Sequence, residues 1–139
     1  MAVKVTITLF FIFLLLSPLS AAGRAQGRIL DIFNPPFEPT LLYPIGEEVN
    51  LCGKDFLEFK WDARDFVRTR YYDFRLYKGY LAIAQNLIAK EHLLSFASSF
   101  KIKSDLFKDN QVYTWVLRRV SLEGEKSEAS FNSFKVIKR

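Results

Sequence analysis

"DLFKDNQVYTWVLRRV", Asp105–Val120, places a tyrosine and a tryptophan two residues apart behind the polar pair Asp109-Asn110. In a β-strand, successive side chains point to opposite faces of the sheet. Tyr113, Trp115 and Leu117 therefore share one face, and Thr114, Val116 and Arg118 share the other. The first set is wholly apolar or aromatic and the second is mixed, so this strand buries one side and wets the other. Asn110 tolerates the left-handed backbone of a turn leading into it.

The same alternation recurs along the chain. In "FLEFKWD", Leu57, Phe59 and Trp61 oppose Glu58, Lys60 and Asp62. In "YYDFRLYKG", Tyr72, Phe74 and Leu76 oppose Tyr71, Asp73, Arg75 and Tyr77, and Gly79 supplies a turn. "SSFKIKS" points Phe100 and Ile102 inward, and "FNSFKVIKR" offers Phe134 and Val136 to the core. "TLLYPIGEEVNLCG" reads as short extended pieces broken by Pro44-Ile45-Gly46, and the prolines of "NPPFEP" exclude a central strand. "YLAIAQNLIAKEHLL" is ambiguous, because Ile83, Leu87, Ile88, Glu91 and Leu94 also fit a helical stripe. Set between two strong strands, an irregular edge strand is the expected outcome.

About seven short strands at regular spacing, with turn residues between them, predict an all-β antiparallel sandwich. One wet face per strand argues against a doubly covered parallel sheet. The expected core holds Trp61, Phe74, Phe107, Tyr113 and Trp115, with Trp115 meeting Trp61 from the opposite sheet. With 139 residues, half of them hydrophobic and 16% aromatic, the chain can bury one substantial core. Fourteen phenylalanines against one methionine point to a core of flat rings.

"MAVKVTITLFFIFLLLSPLSAAGRA" has the layout of a secretory signal peptide: Lys4, an apolar run centred on residues 9–16, then Ser20, Ala21 and Ala22. The expected division is a leader over 1–22 (or cleavage after residue 25), a flexible lead-in over 23–34 with a short edge strand at 29–33, and the folded domain over 35–139. An uncleaved anchor is the alternative; the apolar run is shorter than the roughly 20 residues a spanning helix needs. Removing residues 1–22 from 139 leaves 117 and takes away one charge, Lys4, so the net charge of +5 becomes +4. Export implies a periplasmic or extracellular location, with membrane contact only through an uncleaved leader. The basic residues are scattered among acids, which excludes the dense stripe of a nucleic-acid footprint.

Little in the sequence suggests chemistry. One cysteine, Cys52, and one histidine, His92, make a zinc site untenable, and no glycine-rich phosphate loop is present. Cys52 is expected to be a half-buried small apolar residue near a strand. The acidic pairs Asp62/Asp65 and Glu47/Glu48 are not joined by a second cluster. No catalytic, cofactor-binding or metal-binding residues are assigned, and the chain is expected not to be an enzyme.

"LEFKWD", "YYDFRLYKG", "SSFKI", "LFKDNQVYTWVLRRVSLEGEKSEAS" and "FKV" together give a specific likeness over residues 35–136. The chain resembles a fibronectin type III domain, in the style of those in exported bacterial proteins. The resemblance implies an immunoglobulin-like sandwich in which Tyr113, near the start of the sixth strand, ties its hydroxyl to backbone a few residues upstream, with Phe107 plugging the loop. The family's proline-glycine before that tyrosine is replaced here by Lys108, Asp109 and Asn110, and no Arg-Gly-Asp triplet occurs. The resemblance also makes the third and sixth strands neighbours. Their outward residues Tyr71, Asp73, Arg75, Tyr77, Val116 and Arg118 then form a candidate partner surface, since tyrosine and arginine concentrate at interfaces. Ordinary cross-strand pairing is the plainer account of the same residues. On the first account, alanine at Tyr77 and Arg75 abolishes capture and leaves the melting temperature nearly unchanged.

Such domains serve mostly as spacers and binding modules. The expected partner is another protein, in the cell envelope or outside the cell. A structural subunit of an envelope or surface assembly, joined through an edge strand, is the alternative. A carbohydrate-binding module is a further one.

Overall fold

The computed structural model describes residues 35–139 apart from Asp65. The leader with its helix, the lead-in and its edge strand lie outside the described residues. Residues 35–139 form one compact unit of two packed sheets. The strands are β1 (Leu41–Tyr43), β2 (Glu48–Asn50), β3 (Phe56–Trp61), β4 (Thr69–Lys78), β5 (Leu87–Leu94), β6 (Ser99–Lys103), β7 (Gln111–Ser121) and β8 (Ser130–Ile137). A three-stranded sheet runs β1-β3-β6, and a five-stranded sheet runs β2-β8-β7-β4-β5. The helical pieces among the described residues are 3-10 turns of three residues each.

The antiparallel β-sandwich expected from alternation is the observed fold, and β4 and β7 are neighbours as anticipated. β1 and β2 are the two pieces of one broken edge segment. β1 pairs antiparallel with β3; the chain then crosses at residues 44–47, and β2 pairs in parallel with β8. That parallel pair is the departure from the antiparallel rule. Gly46 makes the crossing at φ +58°, a conformation that side chains disfavour.

The ambiguous segment resolves as an edge strand. Among the described residues β5 pairs with β4 alone, and it is led in by a 3-10 turn at Ala84–Asn86. Its inward positions carry Ala89, Glu91 and Leu93, and a register break falls between the Leu76 and Tyr77 pairings. An edge position lets Glu91 hang past the core, and the break interrupts the period-two pattern.

Trp61, Phe74, Phe107, Tyr113 and Trp115 are all fully buried. The two indoles, however, pair with different rings. Trp115 meets Phe59 edge-on, with centroids 5.2 Å apart, and Trp61 meets Tyr72 at 5.5 Å. Register explains the separation. Trp115 stands opposite Leu76 on β4, four residues along from Tyr72, or about 13 Å at strand rise. Phe59 takes the central place instead, touching Phe74, Phe107, Trp115 and Phe134.

The corner is built as expected. The Lys108 N–H donates to the Tyr113 hydroxyl at 2.8 Å, and Asn110 takes φ +57°. Phe107 lies edge-on to Tyr113 at 5.0 Å. Tyr113→Phe is expected to cost about 1 kcal/mol, because it strips one partly buried hydrogen bond while keeping the ring. Hydrogen exchange checks the cause: the Lys108 amide should exchange faster, with β3 unaffected.

Candidate functional site

The outward face of the five-stranded sheet carries the predicted partner residues. Across β4 and β7 the register sets Asp73 opposite Arg118, Arg75 opposite Val116, and Tyr77 opposite Thr114. β5 adds His92 opposite Asp73 and Lys90 opposite Arg75; β8 adds Phe131 opposite Val116.

These rows form the floor of a groove of about 380 Å³, lined by Asp73, Arg75, Tyr77, Thr114, Val116 and Arg118. Tyr80 and Leu81, from the chain after β4, and Phe131, from β8, also line it. Five of the six predicted residues come together there. Tyr71 does not line the groove; it stacks on His92 with ring centroids 4.4 Å apart.

The face is less open than simple alternation implies. Asp73 is 4% exposed, Tyr77 6% and Val116 8%. The chain leaving β4 is tied against the sheet, because the Thr114 hydroxyl lies 2.7 Å from the Gly79 carbonyl and 2.7 Å from the Ser133 hydroxyl. Tyr77 is thus a packed residue, and alanine there removes buried area. The expectation that a Tyr77/Arg75 double alanine variant keeps its melting temperature does not hold with this geometry.

Asp73 grips Arg75 with both oxygens: Arg75 Nε donates to Oδ1 at 3.2 Å and Nη2 to Oδ2 at 2.8 Å. Asp73, and after it Tyr77, hold the Arg75 guanidinium firmly in its charged form. Bidentate geometry with a buried acid makes this pair a fixed part of the floor.

The exposed rims were missed in the sequence. Tyr80, Leu81 and Phe131 are 72%, 63% and 68% exposed. Phe131 was legible: it lies three positions before inward Phe134, so period two sends it outward. Tyr80 and Leu81 follow a turn, where no periodicity applies.

No protein-family model and no curated protein matches the sequence. Solved structures do match in shape. The third fibronectin III domain of human KIAA0343 protein superposes with a TM-score of 0.50 at 16% identity, over 76% of this chain and 85% of that one. An Fn3-like protein from Clostridium thermocellum gives 0.50 at 14%, over 76% and 98%. The spore cortex lytic enzyme SleM of Clostridium perfringens gives 0.52 at 16%, over 76% of this chain but only 30% of the enzyme.

The fold is fibronectin type III-like.

In a fibronectin type III-like sandwich the floor of the groove is sheet, from β4 and β7, while Tyr80, Leu81 and Ala82 reach it from the connection after β4. Among the described residues, no three side chains of metal-binding type converge. Cys52 is exposed, not half-buried as expected. Leu51 takes the inward slot, and the chain turns at once, with the Cys52 N–H donating to Asn50 Oδ1 at 2.9 Å. Cys52 follows β2 and His92 lies on β5, at opposite edges of a five-stranded sheet, about 19 Å apart across four strand spacings. They are not placed to act together.

Proposed function

We propose that this chain is an exported, non-catalytic binding module that holds a partner protein in the groove on the outward face of its five-stranded sheet. The observation that supports this most directly is the gathering of Asp73, Arg75, Tyr77, Val116 and Arg118 on one floor beside exposed apolar rims. Exposed aromatic and aliphatic rims around an ordered polar floor are the composition of a contact patch. The export part of the reading comes from the leader over residues 1–22, and a bacterial source from the family resemblance.

The test uses residues that can change without emptying the core. In the double variant Arg118→Gln/Phe131→Ser, capture of the native partner in pull-down mass spectrometry from the host is expected to fall at least tenfold. The melting temperature should stay within about 2–3 °C, since these are surface changes. A control pair on the other sheet, Lys60→Gln/Lys101→Gln, should capture normally. Retention of the partner by the groove variant refutes the reading.

The structural-subunit reading rests on β5, an eight-residue strand that among the described residues has no neighbour on its outer side. Lys90 at its middle and the break beside Ile88 are devices that blunt edge pairing, so the groove is favoured. A monomeric elution of the purified full chain at high concentration would count against assembly through this edge.

A further inference from the structure

We infer that the segment received by the groove is acidic, a peptide stretch carrying a carboxylate beside an apolar side chain. The inference rests on the binding-module reading and adds the chemistry of the partner.

The charges of the face do not balance. Asp73 is the acid of the floor, and its two oxygens are taken by Arg75. Arg118 stands opposite Asp73 in register, and Lys90 stands opposite Arg75. Like charges directly opposite across strands are destabilising, so the Lys90–Arg75 pairing is a cost the unliganded face carries. Among the residues lining the groove, Arg75 and Arg118 stand against Asp73, a surplus of one positive charge, and Lys90 on the neighbouring strand adds to it from outside the lining. A low-dielectric wall strengthens the field such a surplus presents to an incoming anion.

Arg118 supplies the recognition group. Among the described residues no ion pair or hydrogen bond holds its guanidinium, which can offer a planar fork of donors to a carboxylate, the geometry to which arginine is suited. Val116, two residues back on the same strand and face, separates this fork from Thr114. The rims Tyr80, Leu81 and Phe131 are largely apolar, exposed, and line the same groove as Arg118. A ligand that neutralises Arg118 while laying an apolar side chain against those rims satisfies both features.

Polarity along the face sets the position. Beyond Tyr80 a second hollow, of about 410 Å³, is lined by Glu47 and Glu48 with Lys135, which is already paired to Glu48 at 3.4 Å. An acidic segment is repelled from that hollow and drawn to the groove. Charge complementarity of this kind governs orientation and association rate more than raw affinity.

The purified full chain is titrated against a fluorescein-labelled Glu-Glu-Leu-Phe-Glu-Glu peptide, with fluorescence anisotropy as readout. The comparison arms are the peptide with every Glu replaced by Gln, the peptide with every Glu replaced by Lys, and a trimer of galacturonic acid as an anionic glycan. The acidic peptide is expected to bind at least tenfold more tightly than either replacement. Raising NaCl from about 50 mM to about 500 mM should weaken it severalfold, because screening shortens the reach of the field. Arg118→Gln should weaken it about tenfold, and Phe131→Ser about threefold. Arg118→Gln is chosen over Arg118→Glu because a glutamate opposite Asp73 would bring two acids together. Equal binding of all three peptides, with Phe131→Ser still weakening each, removes the acidic specificity and leaves the binding-module reading standing. Binding of the galacturonic acid trimer with no binding of the acidic peptide overturns the peptide class. Acidic-peptide binding that Arg118→Gln does not weaken overturns the assigned groove.

Discussion

Phe59→Ala is expected to destabilise the domain by about 3–5 kcal/mol, the largest loss of any single ring in the core. Phe59 is fully buried at the middle of β3, and four aromatic rings lie against it within 6.4 Å, centroid to centroid. Those rings come from four elements: Phe74 from β4, Phe107 from the loop before β7, Trp115 from β7 and Phe134 from β8. Rigid rings on every side cannot collapse into the vacated space, so the cavity term adds to the lost transfer energy. For a domain of this size each kcal/mol shifts the midpoint by about 5 °C, so a fall of about 15–25 °C is expected in calorimetry. Total stabilities of about 5–15 kcal/mol leave such a variant close to unfolding at body temperature. A shift under about 5 °C would mean that Phe59 is not the keystone of the two sheets. Phe59→Leu, which fills most of the volume, should recover more than half of the loss.

Trp115→Phe is expected to cost about 2–4 kcal/mol, well above the cost of Trp61→Phe. Both indoles are buried, but their N–H groups fare differently. The Trp115 N–H donates to the Pro44 carbonyl at 2.9 Å, across 71 residues of sequence. Pro44 begins the crossing by which the chain leaves β3 for β8, so this bond fastens the sheet switch to the core. Removing it strands a buried carbonyl without a donor. Among the described residues, the Trp61 N–H and the neighbouring Tyr72 hydroxyl find no hydrogen-bond partner. Trp61→Phe therefore deletes a polar group that is already unsatisfied, and its penalty is the lost ring area alone. The measurement is a pair of urea titrations together with amide exchange at β2. Trp115→Phe should speed exchange at Val49 and Asn50, and Trp61→Phe should leave them protected. Equal losses for the two variants, or β2 protection unchanged in Trp115→Phe, would contradict the anchoring role.

The contrast between these two tryptophans shows how far alternation carries. Period two placed both indoles inward, because which face a strand residue occupies is a local property of its own backbone. It could not say which ring each would meet, since that depends on how far two strands slide along each other. Likewise Tyr77 and Val116 fall on the outward face, yet they are 6% and 8% exposed, which alternation along their own strands does not foretell. Cys52 was misjudged for a related reason: the turn at Asn50 gave the inward slot to Leu51.

The amino-acid order alone therefore determined the sheets, the inward residues, the corner at Tyr113 and the edge character of β5. Each follows from spacing between near neighbours and from the intolerance of strands for proline and turn residues. Tertiary packing alone decided the central position of Phe59, the parallel pairing of β2 with β8, and the shaping of an outward face into a groove with surplus positive charge. Those depend on contacts between residues tens of positions apart, and a local period holds no information about inter-strand register or about a loop laid across another strand.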